Sequence, residues 1–242
     1  MAQNIYDRPD FFAGYCRLER SRRGLDGAPE WPAVRALLPD LAGRRVLDLG
    51  CGFGWFCRWA RRAGAACVLG IDLSENMIAR ARSDTADPAI DYRIADLDCL
   101  DLPSGAHDMA YGSLAFHYVE DFGRLAAVVH RALTPGSHFV FTVEHPVYTA
   151  PAQPGWIDVG DGRRCWPVHG YSVEGPRRTD WLAEGVVKQH RTIGTTVNTL
   201  VGAGFAIRHV EEWSPTDAQV AAMPDLAKER DRPMFLLVSA ER

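Results

Sequence analysis

The sequence lacks a dominant charge: 27 Lys and Arg stand against 31 Asp and Glu, a net −4 with His neutral. With a pI of about 6.1, it offers no whole-protein field for nucleic acid or an anionic membrane, and neither is expected as a partner. Long apolar runs are missing too, none approaching the roughly 18 residues of a membrane span. The opening MAQNIYDRPDFF has neither a basic start with an apolar stretch nor a small-residue cleavage site, which predicts a soluble, cytoplasmic chain. The six cysteines (Cys16, Cys51, Cys57, Cys67, Cys99, Cys165) include no Cys-x-x-Cys pair. A zinc ribbon or dithiol redox motif is thereby excluded, and reduced, mostly buried thiols are expected. There is no internal repeat, low-complexity linker or phosphate-binding P-loop. What remains is ordinary globular material, 47% hydrophobic and 24% charged. Its 242 residues predict a single domain over 1–242, with 1–41 as an N-terminal helical cap and 146–181 as an insertion.

From residue 44 short apolar runs alternate with helical patterns. Arg45 to Leu49, Cys67 to Ile71, Asp91 to Ile94, Met109 to Tyr111 and His138 to Val143 read as five strands. Helices are expected at Trp55 to Ala63, from Ser74 to Arg82 and from Asp121 to Leu133, with one or two more between residues 6 and 41. This rhythm predicts an α/β fold, a parallel sheet wound with helices on both faces. Between Pro146 and Trp181 the rhythm breaks: five prolines, five glycines, three tryptophans and two tyrosines show no sustained period. A segment so aromatic predicts an ordered insertion, a small hairpin or a lid. Strands then resume at Gly185 to His190, Phe205 to Glu212 and Pro233 to Ala240, with a helix from Thr192 to Ala203.

The stretch carrying most chemistry is Asp48-Leu49-Gly50-Cys51-Gly52-Phe53-Gly54, where the first strand turns into the first long helix. Glycines at alternate positions let backbone approach a ligand closely. A dinucleotide fingerprint wants glycine at its sixth position, but that place is Trp55, so NAD(P) and FAD are poor candidates. Asp72 ends the second strand, 24 residues after Asp48, where a carboxylate can accept both hydroxyls of a ribose. Asp96 follows the third strand, where it can accept from an exocyclic adenine amine while the Leu97 N–H donates to the ring. Each aspartate alone reads as a cap or a surface charge; three at consecutive strand ends point to one crevice.

These stretches, with Gly70-Ile71-Asp72-Leu73-Ser74, Ala95-Asp96-Leu97 and the region from Asp108 to His117, resemble class I S-adenosylmethionine-dependent methyltransferases, firmly over residues 40–145 and loosely over 185–240. The resemblance implies a Rossmann-like, mostly parallel seven-stranded sheet in the order 3-2-1-4-5-7-6, with strand 7 antiparallel. It implies S-adenosyl-L-methionine as cofactor and S-adenosyl-L-homocysteine as product. Carried over by position, Gly50, Cys51 and Gly52 would adjoin the methionine portion, and Asp48 its amino group. Asp72 would hold the ribose, Leu73 and Met77 would flank ribose or adenine, and Asp96 with Leu97 would read the adenine edge. Ser113 and Leu114 would line the methionine part. Tyr6 or Tyr15 on the leading helix would close over the cofactor, Arg17 or Arg20 pairing the methionine carboxylate. Met77 reads equally as core.

Methyl transfer from a sulfonium is an in-line displacement that needs alignment in a dry pocket, with no metal and no covalent nucleophile. A base is needed only for a protonated acceptor. The candidates are His145, with Glu144 to orient it or bind a cationic group, and His117; each reads equally as a structural turn residue. The run from Lys188 to Thr192 offers an anion site or a solvated strand end, and Trp156, Trp166, Tyr171 and Trp181 a stacking wall or a small core. The expected acceptor is a small molecule methylated on N, O or C, and a homodimer is compatible with this reading. The chain reads Gly112-Ser113-Leu114-Ala115-Phe116 where nucleobase and glutamine amino-methyltransferases carry an Asn-Pro-Pro-Tyr type tetrad, which disfavours those acceptors. The alternatives are cofactor-dependent chemistry other than methyl transfer, such as cyclisation, and a non-catalytic cofactor-binding module.

Overall fold

The computed structural model describes residues 3–242. Three short helices lead: α1 (Pro9–Tyr15), α2 (Glu19–Arg22) and α3 (Trp31–Leu37). Strands and helices then alternate as β1 (Arg45–Leu49), α4 (Trp55–Arg62), β2 (Cys67–Asp72), α5 (Glu75–Ser83) and β3 (Ile90–Ile94), followed by β4 (His107–Ser113), α6 (Phe122–Ala132) and β5 (Leu133–Glu144). An excursion follows, with α7 (Pro146–Thr149), β6 (Ile157–Asp158), β7 (Arg164–Cys165), β8 (Gly175–Trp181) and β9 (Ala183–His190). The chain closes with α8 (Ile193–Gly202), β10 (Ala206–Trp213), α9 (Asp217–Ala222) and β11 (Phe235–Glu241). Helix starts follow their capping residues: the Ser74 hydroxyl accepts the Met77 N–H at 3.1 Å to open α5, and the Asp121 carboxylate accepts the Arg124 N–H at 2.8 Å to open α6.

The main sheet has seven strands in the order β10-β11-β5-β4-β1-β2-β3. The pairs β1–β2, β1–β4, β2–β3 and β4–β5 are parallel, and β11 runs antiparallel to both its neighbours. With β10 as sixth strand and β11 as seventh, this is the expected 3-2-1-4-5-7-6 order. The side-chain period of two splits β1 between the faces. Leu47 and Leu49 join the core with Leu125, Val129 and Leu200, whereas Val46 joins the other with Val34, Phe56 and Ile78. At about 1.5–3 kcal/mol per fully buried large apolar side chain, covering both faces is what holds the parallel sheet.

The strand expected at Gly185 to His190 forms within β9, but it pairs with β8 in a separate hairpin and stays outside the main sheet. The excursion therefore runs from Pro146 to His190, past the Trp181 boundary read from composition. Several contacts tie it down. A small core of Ile5, Phe11 and Val186 joins the N-terminal segment to the hairpin. The Arg232 guanidinium sits 4.2 Å from the Trp166 ring centroid and 4.6 Å from that of Tyr148, held by two bonds to Glu229 at 2.6 and 2.7 Å.

Gly112, in β4, lies under the Phe116 ring, and a Cβ there would stand 2.4 Å from Phe116 Cζ. Phe116 is only 1% exposed and has no room to retreat. Gly112→Ala is expected to lower stability by about 1–3 kcal/mol through overpacking; an unchanged urea midpoint would show that this contact does not constrain the edge.

Candidate functional site

The turn between β1 and α4 is stitched to the end of β2. The N–H groups of Gly50 and Cys51 both donate to the Ile71 carbonyl, at 2.7 and 2.9 Å. The Gly52 N–H donates to Asp72 Oδ2 at 2.9 Å, while Asp72 Oδ1 accepts the Ser74 N–H at 2.9 Å. Gly50 has φ +77°, and a Cβ there would lie 2.3 Å from the Ala115 Cβ, so only glycine fits. Gly52 has φ +52°, and a Cβ would meet nothing within 4 Å. Its bare backbone is a cradle that a ligand can run along.

Beyond this turn, at the carboxyl edge of the sheet, lies a cavity of about 770 Å³, within the roughly 300–1,000 Å³ usual for ligand sites. From β1 and β2 come Asp48, Gly50, Cys51, Gly52, Asp72 and Leu73. Met77 of α5 reaches the same wall and is also core, at 1% exposed. Asp96 and Leu97 arrive after β3, Ser113 and Leu114 at the end of β4, and Tyr6 and Tyr15 from the N-terminal cap. Leu114 adopts φ +53°, an uncommon strain for a branched residue, located at the cavity edge. Arg20 lines the cavity, whereas Arg17 is exposed and not part of the wall. Asp48 is 1% exposed; its Oδ2 accepts from the Cys57 thiol at 3.1 Å. Burial, and secondarily the charge of Asp72, raise its carboxyl from the ordinary 3.8 to about 7. Burial likewise lifts the Cys51 thiol to about 11, which keeps it protonated.

The far end of the cavity holds His117, Tyr118, Glu144, Tyr148 and Trp181. His117 Nδ1 accepts the Glu144 backbone N–H at 3.4 Å, which leaves the ring proton on Nε2. Burial depresses its pKa to about 4, with Lys188 and Arg191 adding to the effect and Glu144 opposing it, so the ring is neutral at neutral pH. Lys188 Nζ meets Glu144 Oε1 at 2.5 Å.

His145, expected at the site, is turned away from it. The residue is fully buried; Nδ1 caps α7 by accepting the Val147 N–H at 3.0 Å, and Nε2 bonds Glu212 at 2.8 Å. With both ring nitrogens spent on the turn into the excursion, His145 has no hand in the cavity. The run from Lys188 to Thr192 is no anion site either: Lys188 is paired, His190 lies between Thr149 and the Tyr171 carbonyl, and Arg191 donates to the carbonyls of Phe116 and Glu120. Of the four aromatics, only Trp181 lines the cavity. Trp156 and Trp166 close on Arg232, and Tyr171 packs against His190.

Two features escaped sequence reasoning. Glu30, 2% exposed, holds Arg20 in two bonds at 3.0 and 3.2 Å, and Trp31, Val34, Leu226 and Phe235 extend the cavity into an apolar lobe. Asp7 caps the start of α5, accepting the N–H groups of Glu75 and Asn76 at 3.1 Å each. No local pattern marks either feature, because the partners are joined only by the fold.

Asp48 supplies a pH signature. The folded protein keeps this proton to about pH 7, whereas the unfolded chain loses it near 3.8. Its contribution to stability is thus complete at low pH and is lost as pH rises through that window, on the order of 4 kcal/mol in all. Urea unfolding of the ligand-free protein at pH 5 and pH 8 is expected to show somewhat over half of this loss in the wild type and little of it in Asp48→Asn; an equal drop in the two proteins would remove Asp48 as its source.

Comparison with known proteins agrees with this geometry. Residues 47–141 match the family described as a methyltransferase domain. The crystal structure of an S-adenosylmethionine-dependent methyltransferase from Mesorhizobium loti superposes with a TM-score of 0.87 at 65% identity, covering 90% of this chain and 100% of that one. An uncharacterized protein of Haemophilus influenzae is 32% identical over 86% of this chain and 85% of its own length. A malonyl-[acyl-carrier protein] O-methyltransferase of Pseudescherichia vulneris is 39% identical, but over only 44% of this chain and 42% of its own. Sheet order, glycine turn and similarity over most of the chain converge: the chain belongs to the S-adenosylmethionine-dependent methyltransferases, and S-adenosylmethionine is its cofactor.

Proposed function

We propose that this enzyme methylates a small-molecule acceptor inside the cavity at the carboxyl edge of the sheet. The observation that carries the reading is the continuity of that cavity, which joins the glycine turn to a second, aromatic end closed by the N-terminal cap and the hairpin. S-adenosylmethionine supplies a methyl group already activated on a positive sulfur. The protein's part is to hold, align and keep dry. In this assignment Asp72 receives the ribose hydroxyls with the lone pairs its backbone donors leave, and Asp48 faces the amino group. Gly50, Cys51, Gly52 and Ser113 border the methionine portion. Leu73 and Met77 flank ribose and adenine, Asp96 and Leu97 read the adenine edge, and Tyr15 covers the site. Residues 3–41 of the expected 1–41 segment serve as cap, its first two lying outside the described residues, and the excursion from Pro146 serves as the acceptor-side lid.

His117 is assigned a different part from the base first considered. A neutral ring with its proton on Nε2 donates a hydrogen bond to the acceptor and does not take a proton from it.

Two measurements test the proposal. Asp72→Asn keeps the side-chain volume and loses the charge; hydrogen bonds to a charged group contribute about 1.5–3 kcal/mol, so S-adenosylhomocysteine affinity by calorimetry is expected to fall roughly 10- to 100-fold, and an unchanged value would remove the ribose role. The protein incubated with methyl-¹³C-labelled S-adenosylmethionine and a metabolite extract passed through a small-pore filter is expected to give a new ¹³C methyl resonance on a small molecule. Label found only on macromolecules of the unfiltered extract would overturn the small-molecule reading.

A further inference from the structure

The polar centre of the acceptor end is Glu144, at the end of β5. Its Oε1 is held by Lys188 at 2.5 Å, and the two side chains are only 12% and 3% exposed. Its other oxygen, Oε2, is covered from solvent and has no donor from the protein. A buried carboxylate oxygen without a donor is costly, and such a group in a folded protein calls for an explanation. The residue lines the cavity, and the last torsion of a glutamate is soft, so a small turn of the carboxylate presents Oε2 to a bound molecule. The surroundings suit an amine. Trp181 and Tyr148 already hold a cation, the Lys188 ammonium, at 4.9 and 5.9 Å from their ring centroids. Tyr6 and Tyr118, joined through their hydroxyls at 3.3 Å, close the other side.

Charge points the same way. Arg20 is set against Glu30, and Lys188 against Glu144. Among the other lining residues Glu19, Asp48, Asp72 and Asp225 are acidic and Lys228 is basic. A carboxylate acceptor would enter a cavity of its own sign, whereas an amine, neutral or protonated, would enter one of opposite sign.

We infer that the acceptor is an amine whose N–H donates to Glu144 Oε2, the other oxygen of that carboxylate being taken by Lys188. The inference rests on the small-molecule reading above and narrows it to a nitrogen nucleophile. In the transfer, the amine lone pair forms the new N–C bond as the C–S bond breaks, and the pair of that bond stays on sulfur. The ammonium so formed passes one proton to Glu144 and on to water.

The test is binding, so it does not depend on having the natural acceptor. Wild-type protein saturated with S-adenosylhomocysteine is titrated calorimetrically with phenethylamine, tyramine and histamine, and with phenylacetate and malonate as carboxylate counterparts. At least one amine is expected to bind, at least tenfold more tightly than either carboxylate. Glu144→Gln is expected to weaken that amine at least tenfold while S-adenosylhomocysteine affinity stays within about twofold. Because Glu144→Gln leaves the Lys188 charge buried and alone, Lys188→Met and the double variant are measured beside it: Lys188→Met keeps amine binding, since the ammonium then pairs Glu144, and the double variant loses it. Binding of no amine, a preference for carboxylates, or equal amine binding with and without the Glu144 carboxylate would each overturn the inference. None of these results touches the labelled-methyl experiment, so the broader reading stands or falls separately.

Discussion

The site depends on one set of hydrogen bonds, those that fasten the turn after β1 to the end of β2. Two backbone N–H groups converge on the Ile71 carbonyl, and a third is taken by the Asp72 carboxylate. Gly50 adopts a left-handed conformation beside Ala115, and Gly54, left-handed too, stands at the start of α4. Asp48 and Asp72, on neighbouring strands, are thereby held at one edge, close enough for the charge of Asp72 to add to the effect of burial on Asp48. Without that stitching the glycine turn would be an ordinary loop; with it, the turn becomes one wall of a cavity.

The opposite wall is built by a different principle. Where the side of the glycine turn uses backbone and strand ends, the far side uses aromatic rings and paired charges brought from distant parts of the chain. The N-terminal segment reaches the hairpin through the Ile5, Phe11 and Val186 cluster and reaches α5 through Asp7. It thus touches the hairpin on one side of the cavity and a cofactor-side helix on the other. The hairpin is anchored in turn by the pairing of Lys188 with the end of β5. The rest of the excursion is held by Arg232, whose guanidinium lies among the rings of Tyr148, Trp156 and Trp166.

The two histidines show why a pattern of residue types falls short of a site. His117 and His145 both follow strands that end at the cavity, and both can titrate near neutrality in water. In the fold His117 stands at the cavity wall and is neutral because burial outweighs the pull of Glu144. His145 takes up a helix cap and a bond to Glu212 on β10. Glu212 lies 67 residues further along, and no local signal could have announced that partner. Lys188 is the converse case: in sequence it belongs to a charged strand end, yet the hairpin turns it inward to meet Glu144.

The sequence alone determined the alternation of strands and helices, the glycine turn and the acidic residues at successive strand ends, because each depends on local periodicity, backbone conformation or the position of a residue relative to its own strand. Through the family resemblance that these stretches carry, they implied the sheet order and the cofactor. The far wall of the cavity was set by long-range contacts: which histidine faces the cavity, that Arg20 is braced by Glu30, that β9 pairs in a hairpin outside the sheet, and that Glu144 is left with one oxygen unpaired. Those features arise from contacts between segments far apart in the chain, where burial and charge pairing act on residues whose neighbours in sequence carry no trace of them.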